Sequence, residues 1–547
     1  MASLQKKTVK GIEYWSLIES KRINGKPTPI VIEYFGNTKS FAEKLMSERL
    51  ENRVIKSYSH GDTYAMLKIA EKLGIEKILD AAFSSQTRDN IKRSRSLLLI
   101  AIQCVCNPGS KSEFSKWIET TTLPYEIDIN AQTLTSQHFW EQMNNISEQE
   151  LMQAEDAITK TILKEYDFEI EKIALDYTNY FSYISSGNEK CTIAQRGHNK
   201  QKRSDLKQYS MALVTTKEMG LPLCSHIYEG NTNDQTEFFE YIELLKERIP
   251  NYDPKAITLV FDGGSNNKKN FGAIETHYIC SFSLSSCKNL YDIDISLYEE
   301  IKVNEKNILT YRCTQTIWGK KRECLLTYSK ALCIGQVKEL NQNITKTVNE
   351  LKTLNEQLQN TKSRISKTEQ SIQAKVKKIL KRQHMKEIIE TRMNVETIVK
   401  DIEYKVNENL KEATIRKYFG KKLLITDRDD WETAEILKTY REQDCIEKIF
   451  KDTKDCEHFS IRPQYHFTDQ KIRVHIFCCL LGLTLATVLQ KIVINQGICI
   501  TKNQLMNKLS QIRRCWLKDK NSNKVTNIME EMDEIQSRLW AIIQSIS

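Results

Sequence analysis

No long uninterrupted hydrophobic run occurs in this sequence. The longest apolar stretch, Ile476–Leu489, is about 14 residues and is broken by Gly482, Thr484 and Thr487. That is too short to cross a bilayer and predicts a buried helix, so no membrane partner is expected. The first residues, MASLQKKTVKGIEYW, lack the apolar segment of a secretory signal. Cysteine is present at 15 positions, but the spacing of zinc sites is missing: the close pairs Cys104/Cys106 and Cys478/Cys479 are not C-x2-C. An odd, scattered set predicts reduced core thiols in a cytoplasmic protein. A strong charge of one sign is also absent. Lys+Arg number 81 against 71 Asp+Glu, a net +10, which is compatible with a polyanionic partner without requiring one. The 547 residues have room for roughly three or four domain-sized units.

What is there divides into five stretches. Residues 1–165 open with a hairpin over Glu13–Tyr34, its turn at Asn24-Gly25-Lys26. Helices are predicted at Thr38–Arg53, Asp62–Leu73, Ser94–Val105 and Ser136–Glu165. Basic residues Lys56, Lys68, Lys72, Arg88, Lys92, Arg93 and Arg95 mark either a packing domain or one that binds DNA ends. Across 166–284 the pattern becomes strand, strand, strand, helix, strand, helix, strand, which is a mixed sheet. Residues 285–420 form an insertion with a hairpin around Gly319. A helix follows whose heptad positions Val337, Ile344, Leu351, Leu358, Ile365, Ile372 and Ile379 are all apolar. Its second seam (Leu340, Thr347, Leu354, Thr361, Thr368, Lys375) is half polar, so an intramolecular hairpin and an intermolecular coiled coil both fit. Residues 421–490 return to the sheet, and 491–547 make a helical tail.

Two strands of this sheet end on carboxylates, Asp176 after IAL and Asp262 after AITLVF, and strand ends are where α/β sheets place their sites. A third carboxylate, Glu447, lies on a helix predicted over Trp431–Lys454. Tyr440, Glu447 and Lys454 are seven apart and share one face with Gln443, while Ile446, Ile449 and Phe450 face the core. Three carboxylates from three elements can hold a pair of hard, oxygen-seeking cations, the arrangement of two-metal phosphoryl transfer. Other candidates have plainer readings. Asp234 reads as a helix cap, His475 as a packing histidine, and His198 and Lys200 as members of a polar loop.

The run Tyr440-x2-Gln443-x3-Glu447-x6-Lys454 resembles the Y-x2-R-x3-E-x6-K signature of DDE transposases from bacterial insertion sequences. IALDYT, RGHNK, LPLCSHIYEGNTND, VFDGG, ITD, RPQYHF and IRVHI are similar to that family as well, in its order, over roughly residues 165–490. The resemblance implies an RNase H-like mixed-sheet catalytic domain interrupted by the insertion, with Asp176, Asp262 and Glu447 as its triad. It implies two Mg2+ (or Mn2+) ions, metal-dependent cleavage at transposon ends, and strand transfer of the freed 3′-OH. The implied partners are double-stranded DNA (terminal inverted repeats and target) and a second copy in the synaptic complex, in a bacterial cytoplasm at the nucleoid. Tyr440, Lys454, His198 and Lys200 are implied DNA contacts. The signature's arginine is Gln443 here, with Arg441 two residues earlier, so the phosphate clamp loses a charge. The alternatives are a transposase-derived DNA-binding or assembly protein without catalysis, and a nuclease of the same fold without strand transfer.

Overall fold

The computed structural model describes residues 2–546 apart from 24–25, 48–52, 186, 200–202, 250–251, 361, 455–456, 463 and 520–524. The chain divides into two compact units. A terminal unit takes Met1–Glu150, Asp455–Gln464 and Val474–Ser547, and a sheet unit takes Leu151–Lys454 and Tyr465–Arg473.

Nine strands organise the sheet unit: β1 (Lys172–Ser182), β2 (Lys207–Thr216), β3 (Pro222–Glu229), β4 (Thr258–Phe261), β5 (His277–Phe282), β6 (Glu299–Val303), β7 (Lys306–Ile317), β8 (Lys320–Tyr328) and β9 (Lys421–Thr426). Their order across the sheet is β6-β7-β8-β9-β5-β4-β1-β2-β3. Strand β4 lies parallel between β1 and β5, and β2 is antiparallel to both β1 and β3. Every residue of β4 is buried, as a strand covered on both faces requires. Helix α1 (Asp234–Arg248) leads from β3 to β4. Its cap is Asn233, whose side chain accepts the Gln235 N–H, whereas Asp234 accepts the Tyr228 hydroxyl at 2.7 Å. The cap therefore sits one residue before the expected Asp234.

The stretch between β5 and β9 first extends this same sheet. Trp318 and Gly319, at φ 49° and 81°, make the two-residue turn joining β7 to β8, and β8 pairs with β9. Helix α2 (Lys330–Gln359) follows, and here the expected single heptad helix is corrected to two. Asn360 accepts the Lys362 N–H at 2.8 Å, a turn that ends α2, and α3 (Glu369–Ile379) starts anew. Arg382, just past α3, pairs with Glu350 on α2 at 2.5 Å, so the second helix returns along the first as an intramolecular hairpin. Thr347, Leu351, Leu354 and Leu358 are buried on α2 and Ile372 and Val376 on α3, with Val399 and Ile402 of a neighbouring hairpin in the same cluster. Packing on both α3 and that hairpin needs a wide stripe, which is why Leu340, Thr347 and Leu354 of the half-polar seam are buried on α2, while Thr368 is exposed.

The expected helix over Trp431–Lys454 is likewise two: α4 (Thr433–Arg441) and α5 (Asp444–Asp452). The break falls at Glu442-Gln443, where Gln443 N–H and Ile446 N–H turn to i−3 carbonyls, tightening the backbone to a 3₁₀ turn.

In the terminal unit the predicted hairpin is present as Ile12–Ile23 against Lys26–Asn37, and a third strand, Ala2–Val9, precedes it. Asn24 and Gly25 of its turn lie outside the described residues. The helix predicted over Thr38–Arg53 spans Thr38–Ser47, and a strand, Arg53–Ser59, pairs with Arg513–Asp519, which in turn pairs with Val525–Met529. The tail is thus not wholly helical. Helices Gly61–Lys72 and Arg93–Cys106 match expectation, whereas Ser136–Glu165 is interrupted at Asn145, which adopts φ 54°. Helix Asp469–Asn495 is long and apolar enough to cross a membrane, but 83% of its apolar window is buried inside the protein. It is a core helix, as the short apolar run implied.

Candidate active site

Strand register sets the two aspartates side by side. Leu175 pairs with Phe261 and Phe261 with Cys280, so the next position on each strand aligns Asp176, Asp262 and Ser281 across β1, β4 and β5. Neighbouring strands are about 4.8 Å apart, and residues in register point to the same face. Asp262 is exposed; one oxygen, Oδ1, accepts the Gly263 N–H at 2.7 Å and the Ser281 hydroxyl at 2.5 Å. Asp176 is half-buried, and its Oδ1 accepts the Tyr177 N–H at 2.8 Å.

Helix α5 lies over this face of β1. Alternate residues Thr178 and Tyr180, which share the face of Asp176, are bonded by its C-terminal end: the Lys454 ammonium donates to the Thr178 hydroxyl, and the Tyr180 and Thr453 hydroxyls are 2.7 Å apart. The Lys454 ammonium also sits 5.4 Å from the centre of the Tyr180 ring. Ile446, Ile449 and Phe450 are buried as expected, and Glu447 is exposed. Tyr440, on the last turn of α4, joins the groups electrostatically. Burial pushes its phenol up to about 12; a hydrogen bond with Ser281 opposes this, and the charges of Asp262 and Glu447 add to it. Tyr440 therefore stays protonated well above neutral pH, with the charges of both carboxylates acting on it.

The end of α4 is itself held by a cation. The Lys217 ammonium, at the end of β2, donates to the Thr439 carbonyl, and its burial lowers its pKa to about 8. Neither Lys217 nor Ser281 is marked in the sequence, because each acts through a partner that only the fold supplies: a helix carbonyl for Lys217 and a neighbouring strand's carboxylate for Ser281. The remaining predicted residues scatter. Gln443 is 7% exposed at the helix break, turned into the protein instead of standing on an open stripe, and Arg441 is exposed. His198 is exposed in the loop between β1 and β2, where Gly197 presses so closely on Gly230 that a Cβ would meet its carbonyl oxygen at 2.1 Å. Lys200 lies outside the described residues. Asp427, in the ITD motif, accepts the Tyr278 N–H at 2.9 Å and lies 3.1 Å from His277 Nδ1, which ties β9 to β5.

The oxygen donors are of the type a hard cation takes, although Asp176, Asp262 and Glu447 do not gather their ligand atoms within 4.8 Å of one another. Asp262 and Glu447 are exposed carboxylates, and neither meets a Lys or Arg in an ion pair among the described residues. Among those residues the recorded hydrogen bonds of Asp262 all fall on Oδ1, which leaves Oδ2 for a ligand.

In the terminal unit the basic cluster is largely neutralised. Lys68 pairs with Glu71, Arg88 with Asp89 and Glu141, Lys92 with Asp80, and Arg95 with Glu76. Arg93 is buried, bonded to Ser84, Gln86 and the Asn144 carbonyl. These contacts favour the packing reading of the cluster.

No family model and no curated protein matches the chain. Among solved structures it is similar to a piggyBac transposase in a cryo-EM synaptic complex with hairpin DNA. The match covers 88% of this chain and 85% of that one, at 8% identity and a TM-score of 0.40.

Proposed function

We propose that the chain is a DNA transposase of the DDE type, related to those of bacterial insertion sequences, which cleaves element ends and joins the freed 3′-OH to target DNA. The observation that carries this is the register that sets Asp262 beside Asp176 under the helix of Glu447. The mixed sheet order β3-β2-β1-β4-β5, with β2 antiparallel to both its neighbours, supports the RNase H-like reading.

Asp176, Asp262 and Glu447 would hold two Mg2+ (or Mn2+) ions, which when bound polarise phosphate oxygens and ease ionisation of the attacking hydroxyl. The chain's own residues do the rest. Ser281 donates to Asp262 Oδ1 and so fixes that carboxylate's orientation. Tyr440, kept protonated, donates its hydroxyl hydrogen to a phosphate oxygen beside the carboxylates. Lys454, anchored through Thr178 and Tyr180, and the exposed Arg441 attract DNA backbone. Gln443, buried at the break where the signature has arginine, is withdrawn from the face that would meet phosphate.

The test uses the full chain with Mg2+ and labelled DNA carrying the element's ends. Asp176→Asn, Asp262→Asn and Glu447→Gln should each abolish cleavage, by at least about 100-fold, and leave end binding intact. Wild-type cleavage by any one removes that residue from the triad. Cleavage without joined product on a gel supports a nuclease; binding with no cleavage under any divalent metal supports an assembly protein.

A further inference from the structure

The terminal unit brings together the two cysteine pairs that the sequence leaves unexplained. Cys104 lies near the end of helix Arg93–Cys106, and His475 and Cys479 are one turn apart on helix Asp469–Asn495. Cys104 Sγ is 3.0 Å from Cys479 Sγ, and Cys479 Sγ is 3.7 Å from His475 Nε2. The three donor atoms lie within 4.8 Å of one another, and all three residues are buried. One turn beyond Cys479, a Cβ on Gly482 would meet the Ala101 carbonyl oxygen at 2.5 Å, so the two helices approach backbone to backbone at this crossing. That close approach puts the donors in reach of one another.

We propose that Cys104, His475 and Cys479 bind a thiophilic d10 cation, Zn2+ being the one this donor set fits. Two thiolates balance the charge of Zn2+, so the filled site is neutral, which a buried position requires. Zn–S of about 2.3 Å and Zn–N of about 2.0 Å at tetrahedral angles place S and N about 3.5 Å apart and two sulfurs about 3.8 Å apart. The sulfur–nitrogen separation already matches, and the sulfurs part by under about 1 Å through their side-chain torsions. The fourth side is walled by backbone carbonyls: Ser460 O is 3.7 Å from Cys479 Sγ, and Ile461 O is 2.9 Å from His475 Nε2. On binding, the Nε2 proton that bonds the Ile461 carbonyl is given up and Nδ1 takes a proton in its place, so the neutral ring offers its Nε2 lone pair to the cation. Each Cys gives up its proton to solvent as the cation enters. The site is separate from the carboxylates, takes a softer metal, and staples residue 104 to residues 475–479 within one unit.

The experiment is metal analysis of the full chain, made without a histidine tag in zinc-supplemented medium. We expect one zinc per chain, retained in buffer containing excess Mg2+. Replacement by Co2+ should give the thiolate charge-transfer absorption and strong visible bands of a tetrahedral site. Cys104→Ser and Cys479→Ser should lose both the zinc and the bands, and His475→Asn should weaken binding at least tenfold. Cys478→Ser, an adjacent buried thiol outside the cluster, should keep them. Chelation of the wild-type protein should lower its melting temperature, and Zn2+ should restore it, a readout that holds even where a variant fails to fold. Zinc well below one per chain overturns the proposal, as does a mass two hydrogens low, marking a Cys104–Cys479 disulfide. Stoichiometric zinc retained in Cys104→Ser, or a melting temperature indifferent to chelation and zinc, overturns it as well.

Discussion

Lys217 is an ammonium held against its solvation preference. Its folded pKa, about 8, lies below the 10.5 of an ordinary lysine. Between those values the unfolded chain binds the extra proton, so this group's contribution to stability rises with pH across about 8 to 10.5 and is least favourable below about 8. We expect the melting temperature of the wild type to gain on that of Lys217→Met as pH is raised from about 7.5 to 9.5; parallel profiles would mean that the amine is solvated. Ser281 invites a different measurement. Ser281→Ala removes the 2.5 Å bond to Asp262 and one of the two acceptors of the Gly263 N–H, while keeping the carboxylate itself. Cleavage should then need several-fold more Mg2+ for half-maximal rate, with Ser281→Thr recovering most of the loss. An unchanged metal requirement would make Ser281 merely structural.

At the scale of elements, the junctions matter more than the helices they join. Gly420 adopts φ 77° directly before β9, and a Cβ there would meet the Tyr328 ring at 2.5 Å. Gly319 adopts φ 81° at the β7–β8 turn with nothing within 4 Å. Placing a side chain at a positive φ costs about 1 kcal/mol even in open space. Gly319→Ala should therefore lower stability by about that much, and Gly420→Ala by at least about 3 kcal/mol in denaturant unfolding. Equal effects would mean that the Tyr328 ring moves aside freely.

The same elements mark how far the sequence could be read. The chain order of β1 to β5 and Asp262 directly after β4 were legible because alternation, burial and terminal carboxylates are local signals, whereas Asp176, expected at a strand end, lies mid-strand because β1 runs on to Ser182 in its pairing with β2. The breaks at Gln443 and Asn360 were not. Heptad spacing continues through Ile365, Ile372 and Ile379 whether or not the backbone does, and only the Asn360 side chain turning onto Lys362 N–H reveals the stop. Register was also invisible: it depends on pairing between strands far apart in sequence, and it alone puts Ser281 against Asp262. The same limit hid the meeting of Cys104 with Cys479.

At the scale of the molecule, the terminal unit is assembled from both ends of the chain. Arg513–Asp519 lies between Arg53–Ser59 and Val525–Met529, and it is the central strand of a three-stranded sheet. A chain ended at residue 500 should therefore lose hydrogen-exchange protection over residues 53–106 while β1 to β5 keep theirs. Uniform loss across both would show that the sheet unit cannot fold alone.

This arrangement sets a timetable for the ribosome. Helix Arg93–Cys106, buried along nearly its whole length, emerges long before Val474–Ser547, which supplies the rest of its unit. At about 5–20 residues per second, the interval between the emergence of residue 106 and that of residue 474 is about 20–75 s. Throughout it, the early helices expose apolar surface, while the interrupting sheet unit can already form. Any event that stops synthesis late in the message would release a protein with Asp176, Asp262 and Glu447 in place but its first 150 residues unfinished, a natural target for chaperones and proteases.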